Sequence, residues 1–142
     1  MAIDMTKLAK GWFAAWNSRD PEKIAQFYTD DCIFEVVAEG AVRNGKNELT
    51  AYIKGMAIDY PDFKIEQKAT FYSENAVCGE VIMSGTQVHS SNPAIPATGK
   101  PFSARGAYIS EWQKGKVKRH AYYEDYMTIM QQLGLMPTPP KK

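Results

Sequence analysis

No apolar run in the chain approaches the ~20 residues that a membrane-spanning helix needs. The first ten residues, Met1 to Lys10, have no apolar core of the signal-peptide kind, so a cytoplasmic address is the expectation. Net charge is nearly absent: 17 Lys and Arg stand against 16 Asp and Glu, leaving +1. That balance gives no reason to expect nucleic acid or an anionic membrane surface as partner. Cysteine is scarce. Cys32 and Cys78 lack metal or redox spacing and read as buried thiols. Also missing are a phosphate-cradling glycine loop, a metal-ligand cluster, a Ser-His-Asp or Cys-His arrangement, and any internal repeat. What remains is a 142-residue chain, long enough to bury a core as one domain. The domain is expected over 1–136, with a frayed Pro/Lys tail at 137–142.

The apolar residues then set the elements. Met5, Leu8, Ala9, Trp12 and Trp16 fall at helical spacing and make one stripe. Asn17 to Arg19 break that helix. Asp20 caps a second one, with Pro21 in the first turn, where its missing N–H costs nothing. Cys32 to Val37 reads as a strand, Gly40 to Gly45 as a turn, and Lys46 to Ala57 as a third helix ended before Pro61. The period then changes to two. Phe63, Ile65, Gln67, Ala69 and Phe71 alternate with polar residues. Ser73 to Asn75 turn the chain into a long strand, Ala76 to Val88, with Gly79 and Gly85 as bend points. A loop, His89 to Lys100, precedes two last strands, Phe102–Gln113 and Lys116–Tyr123. A short helix follows, stopped by Gly134. The order predicts an α+β domain in which a curved antiparallel sheet wraps N-terminal helices as a cone-like barrel with an internal pocket.

A two-residue turn at Lys114-Gly115 sets Trp112 opposite Val117, Ser110 opposite Arg119, Tyr108 opposite Ala121 and Gly106 opposite Tyr123. The other face then pairs Glu111 with Lys118 and Arg105 with Glu124, two opposite-charge pairs that mark it as the outer one. On this register Arg119, Tyr123 and Asp125 face inward. His120 and Tyr122 face outward, where Ile109, Ala107 and Tyr122 would form a patch suited to a homodimer.

Three stretches carry a family resemblance. They are Trp16-Asn17-Ser18-Arg19-Asp20 with Phe27-Tyr28-Thr29-Asp30-Asp31, then Ile95 to Lys100, and Gly115-Lys116-Val117 through His120 and Asp125 to Gln132-Leu133-Gly134. The chain resembles the SnoaL-like polyketide cyclases of the cone-shaped nuclear-transport-factor-2-like fold. It departs from them in having Gln87 after Gly85-Thr86, where many have His, and Ala121 after His120, where many have Trp. The resemblance implies aldol-type ring closure without metal or cofactor, with Asp125 as acid/base group.

Such chemistry needs a base beside the substrate carbon, a donor for the developing oxyanion and dry walls. The expected function is ring closure or isomerisation by proton transfer on a polyketide-like or steroid-like carbonyl compound, at Asp125 in a pocket of Trp12, Trp16, Phe34, Tyr108, Ser110, Arg119 and Tyr123 that holds a small apolar or aromatic carbonyl ligand. Each assignment has a rival. Asp125 could cap the terminal helix. Arg119 could neutralise it, or join it in hydrating or hydrolysing a substrate, as in an epoxide hydrolase or a dehydratase-type lyase. The cone could also bind a ligand with no chemistry at all. His89 could reach the site from its loop.

Overall fold

A computed structural model describes residues 3–137 and Pro140. The tail expected at 137–142 lies for the most part outside the described residues. Helix α1 (Met5–Ser18) begins at Asp4, whose Oδ1 accepts from the amides of Thr6 at 3.1 Å and Lys7 at 3.2 Å. Arg19 ends it with a left-handed φ of 61°. Asp20 caps α2 (Pro21–Ala25), as its sequence predicts. Strand β1 (Tyr28–Val36) starts four residues earlier than expected, and the Gly40–Gly45 region holds a short strand, β2 (Ala41–Asn44). Helix α3 (Gly45–Asp59) buries Leu49 and Ile53. Strands β3 (Lys64–Tyr72), β4 (Ala76–Thr86), β5 (Pro101–Gln113) and β6 (Lys116–Glu124) and helix α4 (Tyr126–Gln132) complete the order.

The sheet runs β2-β1-β6-β5-β4-β3, curved and unclosed, and is antiparallel except where β1 lies parallel to β6. Its concave face packs on α1 and α3 around Trp12, Trp16, Tyr28, Phe34, Ile53 and Val81. Ile129 and Met130 of α4, with Leu133 just after it, close one end against Phe102 and Ala104. No helix among the described residues is long and apolar enough to cross a membrane.

Two side-chain amides fasten helices to strand backbone. Asn17 Nδ2 donates to Ile65 O at 3.0 Å while Asn17 Oδ1 accepts from Ile65 N at 2.7 Å. Gln132 holds Ser103 in the same double grip, at 2.6 and 3.0 Å. Each amide replaces strand partners that an edge would otherwise lack.

Both long hairpins slip relative to a simple alternation. In β3 the register shifts between Gln67 and Ala69, so Phe71 turns outward and is 63 % exposed. Gly79 stands near that bulge. A Cβ there would lie 2.3 Å from the Ala69 carbonyl oxygen. Gly79→Ala should therefore destabilise the fold by about 1–3 kcal/mol, read as a lower denaturation midpoint at unchanged slope.

The second slip corrects the expected register of the last hairpin. Trp112 does pair with Val117, but Glu111 pairs with Arg119, Ser110 with His120, Tyr108 with Tyr122 and Gly106 with Glu124. Lys118 is the extra residue, and a one-residue slip exchanges the two faces beyond it. The charge pairs that suggested the other register find partners elsewhere. Lys118 reaches Asp31 at 2.5 Å, Arg105 reaches Glu80 at 2.6 Å and Arg119 reaches Glu111 at 3.7 Å. His120, Tyr122 and Glu124 consequently face the concave side, and Arg119 and Tyr123 the convex side.

Candidate active site

The concave side of the sheet holds a cavity in two adjoining parts. The narrow inner part, about 50 Å³, is lined by Trp12, Trp16, Phe34, Tyr108, His120 and Tyr122 among others. Tyr52, Met56, Phe63 and Met83 line both this part and a wide mouth of about 660 Å³. Glu39, Arg43, Tyr60, Glu124 and Tyr126 line that mouth, with loop residues Ser90 to Pro93 at its rim. Asp59 pins the rim: its carboxylate accepts from Ser91 N at 3.0 Å and Ser91 Oγ at 2.8 Å, and it meets His89 Nδ1 at 2.8 Å. His89 is thus committed to Asp59, and its side chain is 57 % exposed.

Of the expected pocket residues, Trp12, Trp16, Phe34 and Tyr108 lie against the cavity. Ser110 does not. It is fully buried, donating to Val77 O at 2.7 Å and accepting from Trp112 Nε1 at 2.9 Å. Tyr123 is 44 % exposed on the convex face, and Arg119 lies there beside Glu111. Asp125 is exposed at the head of α4. Its Oδ1 accepts from Thr128 N at 3.1 Å and its Oδ2 from Thr128 Oγ1 at 2.7 Å. The Thr128 hydroxyl, then the Thr128 amide, hold its carboxyl below the usual range. The expected pairing of Arg119 with Asp125 inside the pocket does not occur, because the Lys118 bulge puts Arg119 outside and the strand ends before Asp125.

Glu124 does face the cavity, lining the mouth together with Glu39. Burial, then the charge of the neighbouring Glu39 and a hydrogen bond shared with it, push the Glu124 carboxyl up from 4.5 to about 8. Its Oε1 is buried without a hydrogen-bond partner. Two residues back on the same face, the Tyr122 hydroxyl is also buried and partnerless. Tyr122 lies close over Gly106, where a Cβ would sit 2.2 Å from its hydroxyl oxygen. Gly106→Ala should therefore swing Tyr122 off the sheet, read as a changed near-ultraviolet dichroism with the far-ultraviolet spectrum kept. Nearby, Arg43 stacks 4.3 Å over Tyr52, with Nη1 unpaired.

At the inner end His120 is 7 % exposed, and burial pushes its imidazole down from 6.5 to about 3. Its Nδ1 lies 2.9 Å from the Tyr28 hydroxyl, which also accepts from Trp12 Nε1 at 3.2 Å and Trp16 Nε1 at 3.1 Å. Neither Glu124 nor His120 was among the expected site residues. One signal for them was available: the expected register put the Arg119 guanidinium against an apolar wall, a costly placement. Among the described residues no group of three or more His, Cys, Asp or Glu could hold a metal ion.

The pattern of one family, described as SnoaL-like polyketide cyclase, matches residues 6–133. Solved structures share the fold. TsrD from Streptomyces laurentii is 23 % identical, with 94 % of this chain and 99 % of that one covered and a TM-score of 0.81. A protein of ketosteroid isomerase-like fold from Catenulispora acidiphila, in complex with trimethylamine, is 16 % identical over 96 % of this chain and 100 % of that one, at a TM-score of 0.79. A phenazine biosynthesis-related protein from Pseudomonas aeruginosa is 17 % identical over 96 % and 93 %, at 0.74. No curated protein matches the chain in sequence.

Proposed function

The chain belongs to the SnoaL-like polyketide cyclase family, and from that premise we propose that it closes or isomerises rings on an aromatic, polyketide-like carbonyl compound by proton transfer at Glu124. The observation that carries this reading is the desolvated Glu124 carboxyl, whose partnerless Oε1 lies at a wide mouth beside Glu39. The ionised form takes a proton from the carbon next to a carbonyl. The electron pair moves onto the carbonyl oxygen, and the Tyr122 hydroxyl, which lies over Gly106, the cross-strand partner of Glu124, donates to the enolate so formed. The enolate carbon then attacks a second carbonyl of the same molecule, forming the ring bond. The proton on Glu124 goes to the new alkoxide. In an isomerase it would return to a different carbon instead. No step calls for a cofactor.

Support for Glu124 over Asp125 is geometric. Both Asp125 oxygens are occupied by Thr128, and the residue lines neither part of the cavity. Its role is then to start α4. The test is exchange of solvent deuterium into an enolisable aromatic β-keto ester, ethyl benzoylacetate, across pH 6 to 9. The expected rate rises with a midpoint near the value of about 8 set by the Glu124 environment. A rate that tracks an ordinary carboxylate, or no exchange above the buffer, overturns the reading.

The convex face supports pairing of two copies. The register aligns Phe71, Cys78, Ile109 and Ala121 in one row across four strands. Phe71, Ile109 and Tyr123 are all more than 40 % exposed there. Tyr123 takes the place expected for Tyr122 in this patch. Ile109→Lys should shift the chain to a monomer in sedimentation. A wild-type monomer at micromolar concentration would refute the pairing.

A further inference from the structure

The inner end of the cavity has an unused hydrogen-bond donor, and its direction is fixed. The Tyr28 hydroxyl has two lone pairs and one hydrogen. Indole N–H groups only donate, and Trp12 and Trp16 fill both lone pairs. The hydroxyl hydrogen is left for its third neighbour, His120 Nδ1. Nδ1 therefore accepts. The ring is enclosed by Trp12 at 5.0 Å, Phe34 at 5.1 Å, Trp16 at 5.9 Å and Tyr108 at 6.0 Å, centroid to centroid, and burial keeps it neutral down to about pH 3. A neutral imidazole that accepts at Nδ1 carries its hydrogen on Nε2. Among the described residues nothing accepts from Nε2.

We propose that His120 Nε2–H reads an acceptor oxygen at the leading end of the substrate, and that Tyr28 is the positioning residue that fixes this donor. His120 and Glu124 lie four residues apart on one face of β6, about 13 Å along the strand. They line different parts of the cavity, His120 the inner one and Glu124 the mouth. The oxygen held by His120 is therefore remote from the carbon that Glu124 deprotonates, and the substrate is long and flat, with one oxygen at its tip. The inner part, about 50 Å³, is well below the roughly 150 Å³ in which benzene fits alone. Only a leading edge enters it, while rings fill the mouth. This inference rests on the Glu124 reading for the position of the reacting carbon alone.

The test uses imidazole ¹⁵N NMR and a probe pair. The chain has two histidines, so His89→Gln leaves His120 as the sole imidazole signal. The expected spectrum is the neutral Nε2–H tautomer, unchanged from pH 5 to 8. Tyr28→Phe should admit the Nδ1–H form. The probes are 2-acetylnaphthalene and its near-isostere 2-isopropylnaphthalene, which lacks the acceptor oxygen. The ketone should move the Nε2 resonance and the hydrocarbon should not. The affinity ratio of ketone to hydrocarbon should fall roughly 3- to 10-fold in Tyr28→Phe and in His120→Phe. The same ratio should persist in Glu124→Gln, so loss of exchange activity and loss of the oxygen preference are separate results. An Nδ1–H tautomer in the wild type, an Nε2 resonance indifferent to the ketone, or an unchanged ratio in both variants overturns the proposal.

Discussion

Glu124→Gln should reduce deuterium exchange into ethyl benzoylacetate by at least about 100-fold, and Asp125→Asn should leave it within about threefold. The asymmetry follows from where the two carboxyls point. Glu124 is half-buried at the cavity, beside Glu39 and next but one to the free Tyr122 hydroxyl. Glutamine keeps its size and cannot take a proton. Asp125 points to Thr128, and asparagine caps a helix about as well as aspartate. A matching pair of controls separates cap from catalysis. Asp125→Ala should lower thermal stability through a frayed α4, while Thr128→Val, which removes one of the two bonds to Asp125, should do the same to a smaller extent. Neither should change the pH at which exchange reaches half its maximum.

The second large effect is on stability, and it has opposite signs at the two ends of the pH range. The folded chain holds the Glu124 proton up to about 8, against 4.5 for the free group. That contribution is complete below 4.5 and is lost as pH rises through 8. Glutamine mimics the protonated form at every pH. Glu124→Gln should match the wild type near pH 5 and exceed it at pH 9 by on the order of 2–4 kcal/mol, roughly 6–12 °C in melting temperature. His120 acts in the other direction. Its folded value of about 3 lies below 6.5, so its contribution is complete above 6.5 and falls away as pH drops toward 3. Wild-type stability should therefore be flattest between about 4.5 and 6.5 and decline on both sides. A wild-type melting temperature that keeps rising from pH 6 to 9 would contradict the Glu124 environment.

The same strand explains what sequence reasoning reached and what it missed. The Trp12/Trp16 stripe, the Asp20-Pro21 start and the Phe63 to Gln67 alternation are local patterns, and the fold follows them. The Asn17 and Gln132 amide clamps show why two of the stretches that resemble the cyclases have those residues. Lys118 is different. Nothing in Val117-Lys118-Arg119 marks a bulge, and the two opposite-charge pairs it breaks are replaced by contacts to Asp31 and Glu80 on other strands. Because strand period is two, that single residue moved every side chain from Arg119 onward to the opposite face. It removed Arg119 and Tyr123 from the cavity and brought in His120, Tyr122 and Glu124. The Glu39–Glu124 proximity joins residues 85 positions apart, across a short helix and β6, and no local spacing encodes it.

The most direct measurement is a ¹³C NMR titration of the side-chain carboxyls, with Glu124→Gln and Asp125→Asn supplying the assignments. Glu124 should titrate near 8, and Asp125 below the ordinary carboxylate range. Addition of the β-keto ester should perturb the Glu124 resonance and not that of Asp125. A Glu124 that titrates as an ordinary carboxylate while Asp125 is raised and moves with the ligand would place the acid/base group on the helix cap, and would contradict the account.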